Sequence, residues 1–88
     1  MIIVSLDDRS GRIKHDSAIT VTEQVTRDIE ADIDSGAIGP DVRLPTELEL
    51  AEQYGVSRVT VRRAIALLRE HGKVVTVHGR GTYTASSN

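Results

Sequence analysis

Apolar positions recur along most of this chain with a helical rather than a strand period. Val21, Val25, Ile29 and Ile33 fall every four residues, which predicts a helix from about Val21 to Ser35. Thr20 with Glu23 three residues on is a capping-box pattern, and Gly36 suits the left-handed position past the helix end. Thr46 and Glu49 repeat that pattern after Pro45, and Gly55 follows Tyr54, so a short second helix is expected from about Glu47 to Tyr54. A third is expected from about Arg58 to Glu70, capped by Ser57 and ended by Gly72. Its Val61, Ile65 and Leu68 lie on one face with Ala64 beside them, while Arg58, Arg62 and Arg69 fall towards the other side.

The flanks read differently. Met1 to Leu6 is apolar and β-branched, a short strand by pattern, and Asp7 to Ser17 is a polar loop or mobile arm. Gly39-Pro40-Asp41 is a turn. Past the third helix, Val74 to His78 and Thr82 to Thr84 read as strands joined by a Gly79-Arg80-Gly81 hairpin loop. Only Gly55, Val56 and the Ser57 cap separate helices two and three, so these must cross steeply rather than lie antiparallel. The expected fold is mainly α with a small β-hairpin wing: a winged helix-turn-helix of three helices plus a two- or three-stranded sheet. It occupies residues 20–84, between an N-terminal strand and arm, 1–19, and a tail, 85–88.

Eighty-eight residues bury one modest core and leave little room for a deep substrate pocket. The absence of cysteine excludes a disulfide framework and a thiolate metal site. Apolar runs are too short to span a membrane, and the N-terminus has no secretory-signal pattern, so a soluble, cytoplasmic protein is expected. The net charge of −2 argues against a polyanionic partner until its distribution is read. Residues 1–42 hold nine acids and four bases, whereas residues 57–80 hold six bases against Glu70 alone. A basic face behind an acidic front suits a polyanion approached in one orientation.

The third helix then supplies the chemistry of a DNA-reading element. Its N-terminus offers free N–H groups and partial positive charge, both suited to a phosphate. Ser57 caps it while keeping a proton to donate, and Thr60 can bond a phosphate or a base edge. Arg58 and Arg62, about one turn apart, can each bridge guanine O6 and N7 or hold the backbone. Arg80 on its Gly-Arg-Gly tip can enter a minor groove or grip a phosphate, and His78 can donate from the wing base. Each residue also has a plainer reading: an N-cap, a solvated face, a bare hairpin turn, a strand histidine.

Catalysis finds little support. His15, His71 and His78 form no helical metal pair, no phosphate loop is present, and no nucleophile sits in an activating pattern. No cofactor, no metal and no enzymatic activity are expected. With Tyr54 and Tyr83 the only aromatics, a single-strand stacking platform is not expected either.

With these residues in place, the chain resembles the DNA-binding domain of the GntR family of bacterial transcription regulators over roughly Val21 to Thr84. The resemblance rests on Ile33-Asp34-Ser35-Gly36, Arg43-Leu44-Pro45-Thr46-Glu47, Leu50-Ala51, Gly55-Val56-Ser57-Arg58, Thr60-Val61-Arg62-Arg63-Ala64 and Gly79-Arg80-Gly81-Thr82. The Val61 to Ala64 run is similar to the HutC-type branch, and the N-terminal pattern also to the YtrA-type branch. The resemblance implies DNA contacts at Ser57, Arg58, Thr60 and Arg62, at His78 and Gly79 of the wing, and at Arg43 on the backbone. Two positions depart from the family pattern: Leu48 stands where many members have a DNA-contacting arginine, and Asp41 where many have glycine. Family members continue into an effector-binding, dimerising domain, whereas this sequence stops just past the wing. Between a cut-down form and a stand-alone domain, the expectation taken is the second.

The function expected is a sequence-specific double-stranded DNA-binding transcriptional regulator, a repressor, acting on a two-fold operator. A homodimer or a partner chain would supply the second copy, through Ile2 to Leu6 or the acidic face of the first helix. The alternatives are a protein-interaction adaptor using the acidic half, and a DNA-architectural or recombination accessory protein.

Overall fold

Thr20, Thr46 and Ser57 each turn an extended residue into the start of a helix by accepting a hydrogen bond from the backbone N–H three residues on. The computed structural model describes residues 7–86 and builds from these caps α1 (Val21–Asp34), α2 (Glu47–Tyr54) and α3 (Arg58–Glu70). The strand expected over Met1 to Leu6 lies outside the described residues. The α2 capping box is complete, with Thr46 N donating to Glu49 Oε1 at 2.9 Å and Glu49 N to Thr46 Oγ1 at 3.1 Å. In α1 the Thr20 side chain caps Glu23 N at 3.1 Å, and Gly36 just past the helix takes φ +84°.

One apolar core joins the three helices. Val25 and Ile29 of α1, Leu50, Ala51 and Tyr54 of α2, and Val61, Ala64, Ile65 and Leu68 of α3 are buried together with Ile13, Leu44 and Val74. The outer members of the α1 stripe, Val21 and Ile33, are only partly buried against this cluster.

The wing pairs β1 (Val74–Val77) with β2 (Gly81–Thr84) antiparallel, Val74 opposite Thr84 and Val77 opposite Gly81. The first strand therefore ends at Val77, and His78, expected to close it, belongs to the turn. A second line of pairing comes from before α2: Leu44 N donates to Thr82 O and Thr84 N to Val42 O, each at 2.8 Å, around an Arg43–Tyr83 bridge. Buried Thr84 fastens the preceding turn, its hydroxyl donating to Gly39 O at 2.7 Å and accepting from Val42 N at 2.8 Å. Asp41 in that turn takes φ +56°. Aspartate tolerates this left-handed region better than most residues, which makes it a workable replacement for glycine.

The polar segment 7–19 is docked rather than free. Ser10–Arg12 forms a 3₁₀ turn, Ile13 enters the core, and Arg9 N donates to Gln53 O at 2.6 Å. The Arg9 guanidinium reaches Asp28 at 2.8 Å, Asp32 at 2.6 Å and the Tyr54 hydroxyl at 3.1 Å. Tyr54, fully buried, donates in turn to Asp28 at 2.6 Å, and Arg12 closes on the same carboxylate at 2.9 Å. Burial works against the Asp28 charge, but hydrogen bonds from Tyr54, Arg12 and Arg9 outweigh it and hold the carboxyl below the usual aspartate range.

Two stability outcomes follow. A folded-state pKa held down contributes stability that is present above the ordinary aspartate range and is lost as pH falls below it. Asp28→Asn should therefore cost about 1–3 kcal/mol at neutral pH, and the gap to the parent should narrow on acidification, as read by urea unfolding at several pH values. Gly55 sits at φ +65°, and a Cβ there would lie 2.9 Å from Ser10 Cβ. Gly55→Ala should lower the unfolding free energy by about 1–2 kcal/mol in the same assay.

Candidate nucleic-acid interface

A three-residue connection between α2 and α3 leaves the α3 N-terminus projecting from the core. Ser57, Arg58 and Val59 there are exposed, and Thr60 is half-buried. Ser57 Oγ accepts from Thr60 N at 3.1 Å and donates to Thr60 Oγ1 at 3.0 Å. The proton expected to remain for an outside acceptor is thus engaged within the cap, and the Thr60 hydroxyl is the one left to donate outward.

Arg62 does not extend freely into solvent. Its Nε donates to Glu47 Oε2 at 3.2 Å and its Nη2 to Glu47 Oε1 at 3.1 Å, while Arg58 Nη2 stands 3.9 Å from that Oε1. The hydrogen bond from Arg62 lowers the Glu47 pKa and raises that of Arg62. Sequence reasoning missed Glu47 as a partner of both arginines. It belongs to a different helix, and no periodicity connects it to them.

The wing brings up the remaining candidates. His78, Gly79 and Arg80 form the exposed turn, closed by Arg80 N donating to Val77 O at 2.9 Å, with Gly79 at φ +77°. Arg43 lies against Gly81, where a Cβ would stand 3.1 Å from Arg43 Nε, and Gly81 takes φ +121°, a backbone conformation that favours glycine. Arg69 Nη2 donates to Thr76 Oγ1 at 2.9 Å and ties α3 to β1. A cleft of about 280 Å³ between α3, the start of α2 and the wing is lined by Arg43, Thr46, Glu47, Arg62, Arg69 and Thr76, among others. The structure thus gathers Arg43 and Arg62 in one cleft and leaves Ser57, Arg58, His78, Gly79 and Arg80 outside it.

The charge picture sharpens on folding. Lys73 pairs with Asp34 at 2.6 Å and His71 Nδ1 lies 3.3 Å from Glu30, so these members of the basic half face α1. Among the described residues of the basic half, Arg43, Arg63, Arg69 and Arg80 are exposed with no carboxylate partner. Leu48 and Val59 add exposed aliphatic surface at the starts of α2 and α3, at 51% and 47% exposure. No described helix is long and apolar enough to cross a membrane.

Three helices with a three-residue link between the second and third, an exposed third-helix N-terminus and a following hairpin define a winged helix-turn-helix domain. The family model described as "Bacterial regulatory proteins, gntR family" matches residues 21–84, and the chain belongs to that family. It is 38% identical over 73 residues to the HTH-type transcriptional repressor NagR of Bacillus subtilis, an alignment covering 83% of this chain and 30% of NagR. The AraR DNA-binding domain solved in complex with operator ORX1 matches with a TM-score of 0.70 at 45% identity, over 73% of this chain and 77% of that one. YtrA from Sulfolobus acidocaldarius, a GntR-family transcription factor, matches with a TM-score of 0.76 at 29% identity, over 86% of this chain and 64% of YtrA. The chain spans less than a third of the length of the curated relatives it matches.

Proposed function

We propose that this chain is the sequence-specific double-stranded DNA-reading module of a transcriptional repressor, acting in the bacterial nucleoid. The observation that carries the reading is the projecting α3 N-terminus, with Arg58 and Arg62 exposed and Thr60 half-buried, followed by an arginine-tipped wing. α3 enters the major groove, with Arg58 and Arg62 on base edges and Ser57 and Thr60 at its capped start. Arg43, His78, Gly79 and Arg80 hold the flanking backbone. Membership of the family and likeness to an operator-bound domain support this assignment.

One such module offers a small interface, on the order of 600–1,000 Å², so strong discrimination calls for two copies on a two-fold operator. The acidic face of α1 is a poor candidate for holding a second copy or a protein partner. Its Asp28 and Asp32 are engaged by Arg9, and its Asp34 by Lys73. The same pairing weighs against an adaptor that docks through the acidic half.

Selection of bound duplexes from a random library, then titration at two salt concentrations, tests the reading. A two-fold winner with steep salt dependence is expected; a folded protein that enriches nothing would sink it. On the winner, Arg58→Ala and Arg62→Ala should each cost about 1–3 kcal/mol and relax one base position. Arg80→Ala should weaken all duplexes evenly and lower the salt slope by about 1. A change of base preference would instead make the wing a base reader.

A further inference from the structure

Glu47 is the first residue of α2, and its carboxylate grips Arg62 along one edge of the guanidinium, through Nε at 3.2 Å and Nη2 at 3.1 Å. A guanidinium has five N–H groups. Side-on pairing consumes one on Nε and one on Nη2, and leaves the end-on pair on Nη1 and Nη2 intact. That parallel pair matches the O6 and N7 acceptors of a guanine. Arg58 has only a 3.9 Å ion pair to the same carboxylate, beyond hydrogen-bond reach, so Arg62 alone is fixed in direction.

A half-exposed carboxylate between the two arginines works against generic attraction to phosphate. The Glu47 side chain keeps 36% of its exposure, and next to a duplex it would repel the backbone. This arrangement is wasteful in a protein that needs only to grip the backbone. It suits one that must reject wrong duplexes. We propose that Glu47 is a specificity-determining positioning residue, holding Arg62 end-on for a base edge and withholding its charge from phosphates.

On a matching site the prefixed Arg62 makes its base contact with little further loss of rotamer freedom. On a wrong site it can reach a phosphate only by breaking two charge-assisted hydrogen bonds and leaving Glu47 facing the backbone. The proposal rests on the DNA-reading function above.

The test measures affinity of the whole chain for the selected duplex and for a scrambled one. It compares the parent, Glu47→Gln, Glu47→Asp, Arg62→Ala and the Glu47→Gln/Arg62→Ala pair, each checked by thermal unfolding. Glu47→Gln should raise affinity for the scrambled duplex by about three- to tenfold, through the lost repulsion. It should also lower discrimination between the duplexes by about tenfold, a typical worth of one bidentate base contact. Glu47→Asp keeps the charge but shortens the reach, so discrimination should fall without a gain on the scrambled duplex. With Arg62 already alanine, Glu47→Gln should leave discrimination unchanged. Glu52, exposed on the same helix, supplies the control, since Glu52→Gln removes an equal charge and should leave discrimination intact.

An equal gain on both duplexes would reduce Glu47 to a repelling charge and overturn the proposal. No change in discrimination, or a loss that persists without Arg62, would overturn it too. In those cases the parent still discriminates, and the DNA-reading function stands. A parent that binds neither duplex, or both alike, overturns that function and the role of Glu47 with it.

Discussion

Three residues have to redirect the chain between α2 and α3, and the presentation of α3 depends on how they do it. Gly55 takes φ +65°, its N–H returns to Ala51 O, and Val56 N donates to the same carbonyl at 3.0 Å. Tyr54, just before, is fully buried, so the turn starts from a fixed point. Ser57 then ends the turn by capping Thr60 N. Buried Val61 and Ala64 follow and point the helix body inward, which leaves the cap and first turn as the part that must protrude. A residue with a Cβ at Gly55 would disturb this turn and its packing against Ser10 together.

The second organising feature is that the acidic half of the molecule neutralises bases of its own chain. Asp28 and Asp32 take Arg9, Asp28 also takes Arg12, and Asp34 takes Lys73. Each of these acids belongs to α1. The net charge of −2 therefore misrepresents the field a duplex would meet, because much of the acid is already paired at close range and screened beyond it. Arg43, Arg63, Arg69 and Arg80 are exposed without a described carboxylate partner, and Arg58 and Arg62 are tempered by Glu47.

The wing is held in relation to α3 from two directions. Arg69 bonds Thr76 across the cleft, and the strand-like segment 42–44 pairs with β2 on its free edge. That second pairing makes Arg43 a wing-side residue although it precedes α2 in sequence. It also sets the Arg43 guanidinium against Gly81, whose φ of +121° favours glycine.

Local rules determined the helices. Thr20, Thr46 and Ser57 as caps, Gly36 and Gly55 as stops, and apolar recurrence at helical spacing placed α2 and α3 to the residue and α1 to within one residue at its end. These features are local because caps and periodicity depend on neighbours three or four residues away. The three-residue link between helices two and three likewise made the winged helix-turn-helix legible, as did the glycines flanking Arg80. Tertiary structure alone decided which side chains meet across elements. It docked the polar segment through Arg9 and Ile13, set Arg43 against the wing, turned the Ser57 proton inward, and put Glu47 on Arg62. Such pairings depend on distance in the fold rather than along the chain, and a charged residue carries no local mark of the partner it will find.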